Sequence, residues 1–376
     1  MSIRQMYPGS IVKPGFNPLT AQTSTTTYES TIFAWGDNTY GQLGDGTTTN
    51  RSSPVQVGAT TTWSKIAVSW YQMRAIKTDG TLWTWGYNAN GALGVGNTVN
   101  RSSPTQIGLL TSWLDMAGGI YNGIATQTNG TLWTWGKNNA GQLGLGNTTS
   151  YSSPKQVGAL TTWLKVASGN YFSSAIKTGG TLWTWGYNAQ GQLGLGNTTY
   201  YSSPKQVGAL TTWLSVSCGH YYTLAIKTDG TLWAWGLNSS GQLGDGTAIN
   251  RSSPVQIGAL TTWAKCTGGQ YSTLAVKTDG TLWSWGNNQY GQGGLGNVTE
   301  YSSPKQVGAL TTWATPASGR FHSVAIKTSG SLWSCGRGLY GSLGLGNTTD
   351  YSSFTQVGAL TTWSIVSAGA FITCAG

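Results

Sequence analysis

Charge is scarce in this sequence. Only 8% of its 376 residues are charged, and the formal net charge of +10 comes from 20 basic against 10 acidic residues. No run of Lys or Arg occurs, whereas a nucleic-acid binder concentrates its cations on one stripe. Neither DNA nor RNA is therefore an expected partner. Histidine is reduced to His220 and His322, and the four cysteines, Cys218, Cys266, Cys335 and Cys374, show no C-x-x-C spacing. That leaves too few ligands of the right kind for a zinc site, and neither metal nor cofactor is expected. In register, Cys266 stands where Val166 and Val216 stand, and Cys335 where Trp185 stands. The cysteines read as small buried hydrophobes in a reducing compartment.

Long apolar runs are missing too. Nothing approaches the ~18 residues of a membrane-spanning helix, so no membrane partner is expected. The opening "MSIRQMYPGSIVKPGFNPL" has none of the apolar core of a secretion signal. Cytoplasm or a virion is the expected location. Apolar residues at helical spacing over three turns are also absent. The ten carboxylates are scattered, no nucleophile elbow appears, and "GQLGLGN" leads into a strand rather than a helix, so it offers no helix N-terminus to hold phosphate. No enzymatic activity is expected.

What the chain does have is glycine (56), tryptophan (20) and tyrosine (18), set in a repeat. Trp63, Trp113, Trp163, Trp213, Trp263, Trp313 and Trp363 are each fifty residues apart, with no insertion between them. A period of about 40–50 residues with strand-like alternation marks propeller blades. In the unit starting at residue 161, "TTWLKVAS" and "YFSSAIKT" are two strands. The Asp-Gly or Asn-Gly pair at the next junction of most units (79–80, 129–130, 229–230, 279–280) predicts a two-residue type I′ hairpin. "TLWTWG" is the third strand, and a long glycine-rich loop leads to a short fourth, "KQVG". The predicted fold is all-β: a closed seven-bladed propeller with four antiparallel strands per blade. Blade one has a third strand, "TIFAWG", with no second before it, and the chain ends on a first and second strand with no third. N- and C-terminal strands are thus expected to share blade one, the last strand pairing with one that begins near Tyr28. Residues 27–376 form the propeller, and 1–26 read as an extended N-terminal arm that docks on a neighbouring protein or stays free.

The recurring "YxxLAIKTDGTLWxWGxNxxGQLGxGNTTxxSSPxQV" resembles the repeat of the regulator of chromosome condensation family, and the resemblance runs over residues 28–376. It implies a seven-bladed propeller whose members mostly bind other macromolecules, without fixing one function. Members that exchange nucleotide on a small GTPase carry a wedge-like insertion, for which the strict spacing leaves no room. Photoreceptor members carry G-W-R-H-T at the first turn of certain blades, and only Trp70 of "SWYQM" matches its tryptophan.

Two columns refuse to repeat. One follows W-G: Asp37, Tyr87, Lys137, Tyr187, Leu237, Asn287 and Arg337. The other lies in the first turn: Trp70, Ile120, Asn170, His220, Gln270 and Arg320, closing on Ala370. Strand direction puts both on one face, together with Tyr40, Tyr290 and Tyr340 of the long loops. Trp, Tyr, His and Arg at exposed turns suit a partner-binding face, for a protein or a surface glycan. On the opposite side, Lys77, Lys177, Lys227, Lys277 and Lys327, interrupted by Gln127, read as a ring of solvated charge. The function expected is non-enzymatic binding or structural work in a phage or virus particle, as a decoration or host-contact protein. The alternative is a cytoplasmic regulatory propeller acting on a GTPase or chromatin.

Overall fold

The computed structural model describes residues 31–59 and 62–376. The expected arm, residues 1–26, and Tyr28 lie outside the described residues. Seven four-stranded antiparallel sheets form the molecule, and one 3-10 turn, Leu339–Gly341, is the only helical element among the described residues. Blade four is representative, with Trp163–Ser168 innermost, then Phe172–Lys177, Leu182–Gly186 and Tyr201–Gln206. Blade one closes the ring as expected: Ile372–Ala375 pairs with Phe33–Gly36, in the register Phe33 to Ala375 and Gly36 to Ile372. Closure leaves no sheet edge open at the seam.

The core is distributed between blades. Ile124, Leu132 and Val157 of blade three pack on Trp163, Ala175 and Trp185 of blade four, and six comparable clusters complete the circle. Trp185 donates its indole N–H across the blade boundary to Gln142 O at 2.9 Å. The G-Q-L-G loop makes this contact possible: a Cβ at Gly144 would lie 2.7 Å from Trp185 Nε1, and its φ is +72°. Only glycine combines that approach with that conformation.

Two local expectations are corrected. The second hairpin is not a two-residue type I′ turn, because Asp79 keeps a negative φ and only Gly80 is left-handed, at +77°. Gly80 N–H bonds Lys77 O and Lys77 N–H bonds Thr81 O, giving a type I turn closed by a glycine bulge. Asp79 serves through its side chain, accepting the Thr81 N–H at 2.9 Å and hydroxyl at 2.6 Å. The fourth strand is also longer than "KQVG": it starts at Tyr201 and carries Pro204. A proline is tolerated there because the strand is outermost and one side of its backbone needs no ladder partner.

Candidate partner-binding face

The innermost strand runs to the first turn, and the third strand ends beside it. A backbone bond ties the two: Tyr87 N–H to Tyr71 O at 2.9 Å, Lys137 to Tyr121 at 2.9 Å, and the same bond from Tyr187, Leu237, Asn287 and Arg337. Asp37 N–H reaches Phe371 O across the seam. Both variable columns therefore lie on one edge of the ring.

Their side chains differ from the expectation of freely exposed turns. Ile120, Asn170 and Gln270 are buried, and the turn column converges on the central channel. Trp70 of blade two stacks on His220 of blade five at 5.0 Å, with 23° between the rings. Arg320 of blade seven lies 4.8 Å from the Trp70 ring and donates through Nε to Gln270 at 2.6 Å. Asn170 bonds His220 Nε2 at 3.0 Å and the Tyr221 hydroxyl at 2.6 Å. Burial and the Arg320 charge push the His220 pKa down to about 4, so the ring is neutral at neutral pH. These residues plug one mouth of the channel. The turn is cramped because its innermost strands converge there.

The other column surrounds the plug and is half-buried, except Asp37, which is 5% exposed and spends its carboxylate on Thr39. Asn287 is engaged with Glu300 and Gln292, and Leu237 is half-buried. Tyr87, Tyr187, Lys137 and Arg337 belong to a larger assembly that includes invariantly aromatic positions. One aromatic stands at the first turn of every blade: Tyr71, Tyr121, Tyr171, Tyr221, Tyr271, Phe321 and Phe371. It repeats, so variation cannot reveal it; the signal is an aromatic held at a turn on half-buried ground. Tyr87 reaches Tyr40 at 4.8 Å and Tyr71 and Tyr121 at 6.3 Å, and Tyr187 reaches Tyr200 at 4.7 Å and Tyr221 at 5.5 Å. Tyr290 and Tyr340 pack on Phe321 and Phe371. Cations sit on the rings: Lys137 Nζ is 5.0 and 5.1 Å from Tyr121 and Tyr171, and Arg337 is 4.5 Å from Tyr290. Burial raises the pKa of Tyr71, Tyr121, Tyr171 and Tyr221, so their hydroxyls remain neutral. The result is an aromatic annulus carrying positive charge around a closed channel mouth.

On the opposite side the lysine ring is not solvated charge. Lys227 and Lys277 are 8% exposed, and each lysine lies over two indoles: Lys277 Nζ is 3.5 Å from Trp283 and 5.0 Å from Trp263. Lys77, Lys177, Lys227 and Lys327 repeat the arrangement. The ladder pairs Trp263 with Lys277, and the next hairpin arm brings Trp283 up beside it. The ammonium is thereby drawn onto the rings.

Residues 164–375 match the RCC1-like domain, and residues 29–75, 79–125 and 129–176 match the regulator of chromosome condensation (RCC1) repeat. The chain belongs to the RCC1-like domain family. No curated protein matches this RCC1-like chain in sequence. Among solved structures, human WBSCR16 superposes with a TM-score of 0.83 at 20% identity, over 92% of this chain and 99% of that one. Prp20p from Saccharomyces cerevisiae, described with its binding to Gsp1p and histones, superposes at 0.81 with 21% identity, over 92% and 91% of the two chains. Yeast RCC1 (Prp20) bound to Kap60 gives 0.81 at 20% identity, over 100% and 96%. At these identities the likeness extends to the fold. Among the described residues no cluster of three or more His, Cys, Asp or Glu is placed to hold a metal ion, and no helix is long and apolar enough to cross a membrane.

Proposed function

We propose that this RCC1-like propeller is a non-enzymatic regulatory protein that grips a protein partner on the aromatic annulus. The observation that carries the reading is the ring of aromatics with Lys137, Arg320 and Arg337 laid on it, Arg320 over Phe321 and Phe371. Aromatics and arginine dominate interface energetics because they bury large area at low entropic cost. The sequence alone, through its regular duplication, low charge and expected N-terminal arm, suggests a phage or virus particle. Structural relatives described with Gsp1p, histones and Kap60 favour the regulatory alternative, and a protein partner over a glycan. The variants Tyr87→Ala, Tyr187→Ala and Arg337→Ala should each melt within a few degrees of the parent. Each should weaken capture of the native partner from its source by about 1–3 kcal/mol, read by quantitative pull-down and calorimetry. Full retention of affinity in the triple variant would remove the annulus from consideration.

A further inference from the structure

The channel has a second end, and its chemistry differs. One register position of the innermost strand reads Lys65, Asp115, Lys165, Ser215, Lys265, Thr315 and Ile365 around the ring. This column also fails to repeat, although the tryptophan two positions before it never changes. Three lysines on alternate blades face one carboxylate, a local surplus of two positive charges. Each lysine leans onto the next blade: Lys65 bonds Leu114 O at 2.6 Å and Asp115 at 3.3 Å, Lys165 bonds Leu214 O at 2.7 Å, and Lys265 bonds Thr315 Oγ1 at 3.1 Å. One or two of the three ammonium donors are used in each case, so each lysine keeps a donor to give. Asp115 is itself committed, because its second oxygen accepts the Val166 N–H at 3.1 Å.

Five of the seven, without Lys165 and Ser215, line an open cavity of about 320 Å³: Lys65 and Asp115 on one side of the ring, Lys265 and Thr315 on another, with Met116 and Ile365 as apolar wall. Its size falls in the ~300–1,000 Å³ range of small-molecule sites. At the far mouth Trp70, His220 and Arg320 meet across the ring, and this cavity lies at the other end, toward the blade-to-blade connectors.

We propose that this cavity is a binding site for a small polyanion bearing a linear polyphosphate. Lys65 and Lys265 reach the cavity from separate blades, two and six, so one carboxylate is too small to satisfy them together. A chain of phosphates offers several anionic oxygens along its length, and lysine binds phosphate as a point charge without demanding bidentate geometry. Burial lowers the pKa of Lys265, a desolvation cost that a bound anion relieves. Nothing in this site draws on the annulus at the other face.

Calorimetric titration of the full chain with sodium tripolyphosphate, and separately with ATP, in low-chloride buffer tests the assignment. Tripolyphosphate should bind one to one. Lys65→Met and Lys265→Met should each weaken it at least tenfold, and Asp115→Asn should tighten it. Lys155→Met, which alters a lysine over Tyr151 on an outer strand, should leave it unchanged. ATP binding with similar strength identifies the polyphosphate as the recognised group. Binding of ATP alone, absence of binding, or equal weakening by Lys155→Met would overturn the proposal. Lys265 makes a single side-chain hydrogen bond, so its variant retains the fold and keeps the test decisive; a thermal melt of each variant checks this.

Discussion

At position 335 a cysteine stands where the preceding five full blades carry the W-G tryptophan, and nineteen residues later Phe354 stands where the other blades carry proline. The two departures are one event. A Cβ on Gly294 would lie 2.4 Å from the Phe354 ring and 3.2 Å from Cys335 Sγ, so the phenyl group occupies the space that an indole fills against Gly144. Phe354 also packs on Trp313 at 5.0 Å. Restoring tryptophan alone should overfill the site: Cys335→Trp is expected to lose about 1–3 kcal/mol in denaturant unfolding. The double variant Cys335→Trp/Phe354→Pro should recover most of it, a coupling of the size seen for contacting residues. Additive losses would mean the two side chains do not share a cavity. The sequence made Cys335 visible as a missing tryptophan; its compensation was not, because the partner lies in another strand.

The strand and its turns explain where sequence reading succeeded and where it failed. The two-residue period puts Trp183 and Trp185 on one face, and the first three strands fall where the alternation puts them, whereas the fourth begins four residues before "KQVG". The hairpin was misjudged because an Asp-Gly pair serves two turn types, and Thr81 decides between them by occupying the Asp79 carboxylate. Variation was a weaker guide than it looked. Gln72, Asn122, Phe172, Tyr222, Ser272, His322 and Ile372 vary as widely as the face columns, yet all are at most 2% exposed. Differences between blades therefore record packing as well as display. The lysine-topped tryptophan pair shows the same thing. Lys277→Met should lower stability by about 1 kcal/mol through loss of the cation–π contact, and Lys277→Ala by more, because the stem is also packed. Urea midpoints in low and in high salt separate the cases. A solvated charge would leave the low-salt midpoint unmoved, and that result would sink the stacked reading.

For the whole molecule, the seam was legible because a period of fifty without insertions turns closure into arithmetic: residue 376 falls at position 26 of the unit, one step before the missing hairpin. What arithmetic could not supply is which side chains cross the ring, since Trp70 meets His220 only when seven innermost strands have converged. The closing strand is held as tightly as any interior one. Ala370, Ile372, Cys374 and Ala375 are at most 1% exposed, Gly376 O takes the Ser364 N–H at 2.7 Å, and Thr373 Oγ1 reaches Ser342 O of the neighbouring blade at 3.0 Å. Removal of residues 365–376 would strip blade one of its two inner strands and uncover Phe33–Gly36 as a free edge, a template for pairing with other chains. The truncated protein should aggregate or lose its cooperative melt. A synthetic peptide of residues 362–376 added in excess should restore the transition by strand addition, since main-chain ladder bonds and alternate buried side chains provide affinity and register together. A truncation that melts with the parent's midpoint would show that the ring does not depend on this closure.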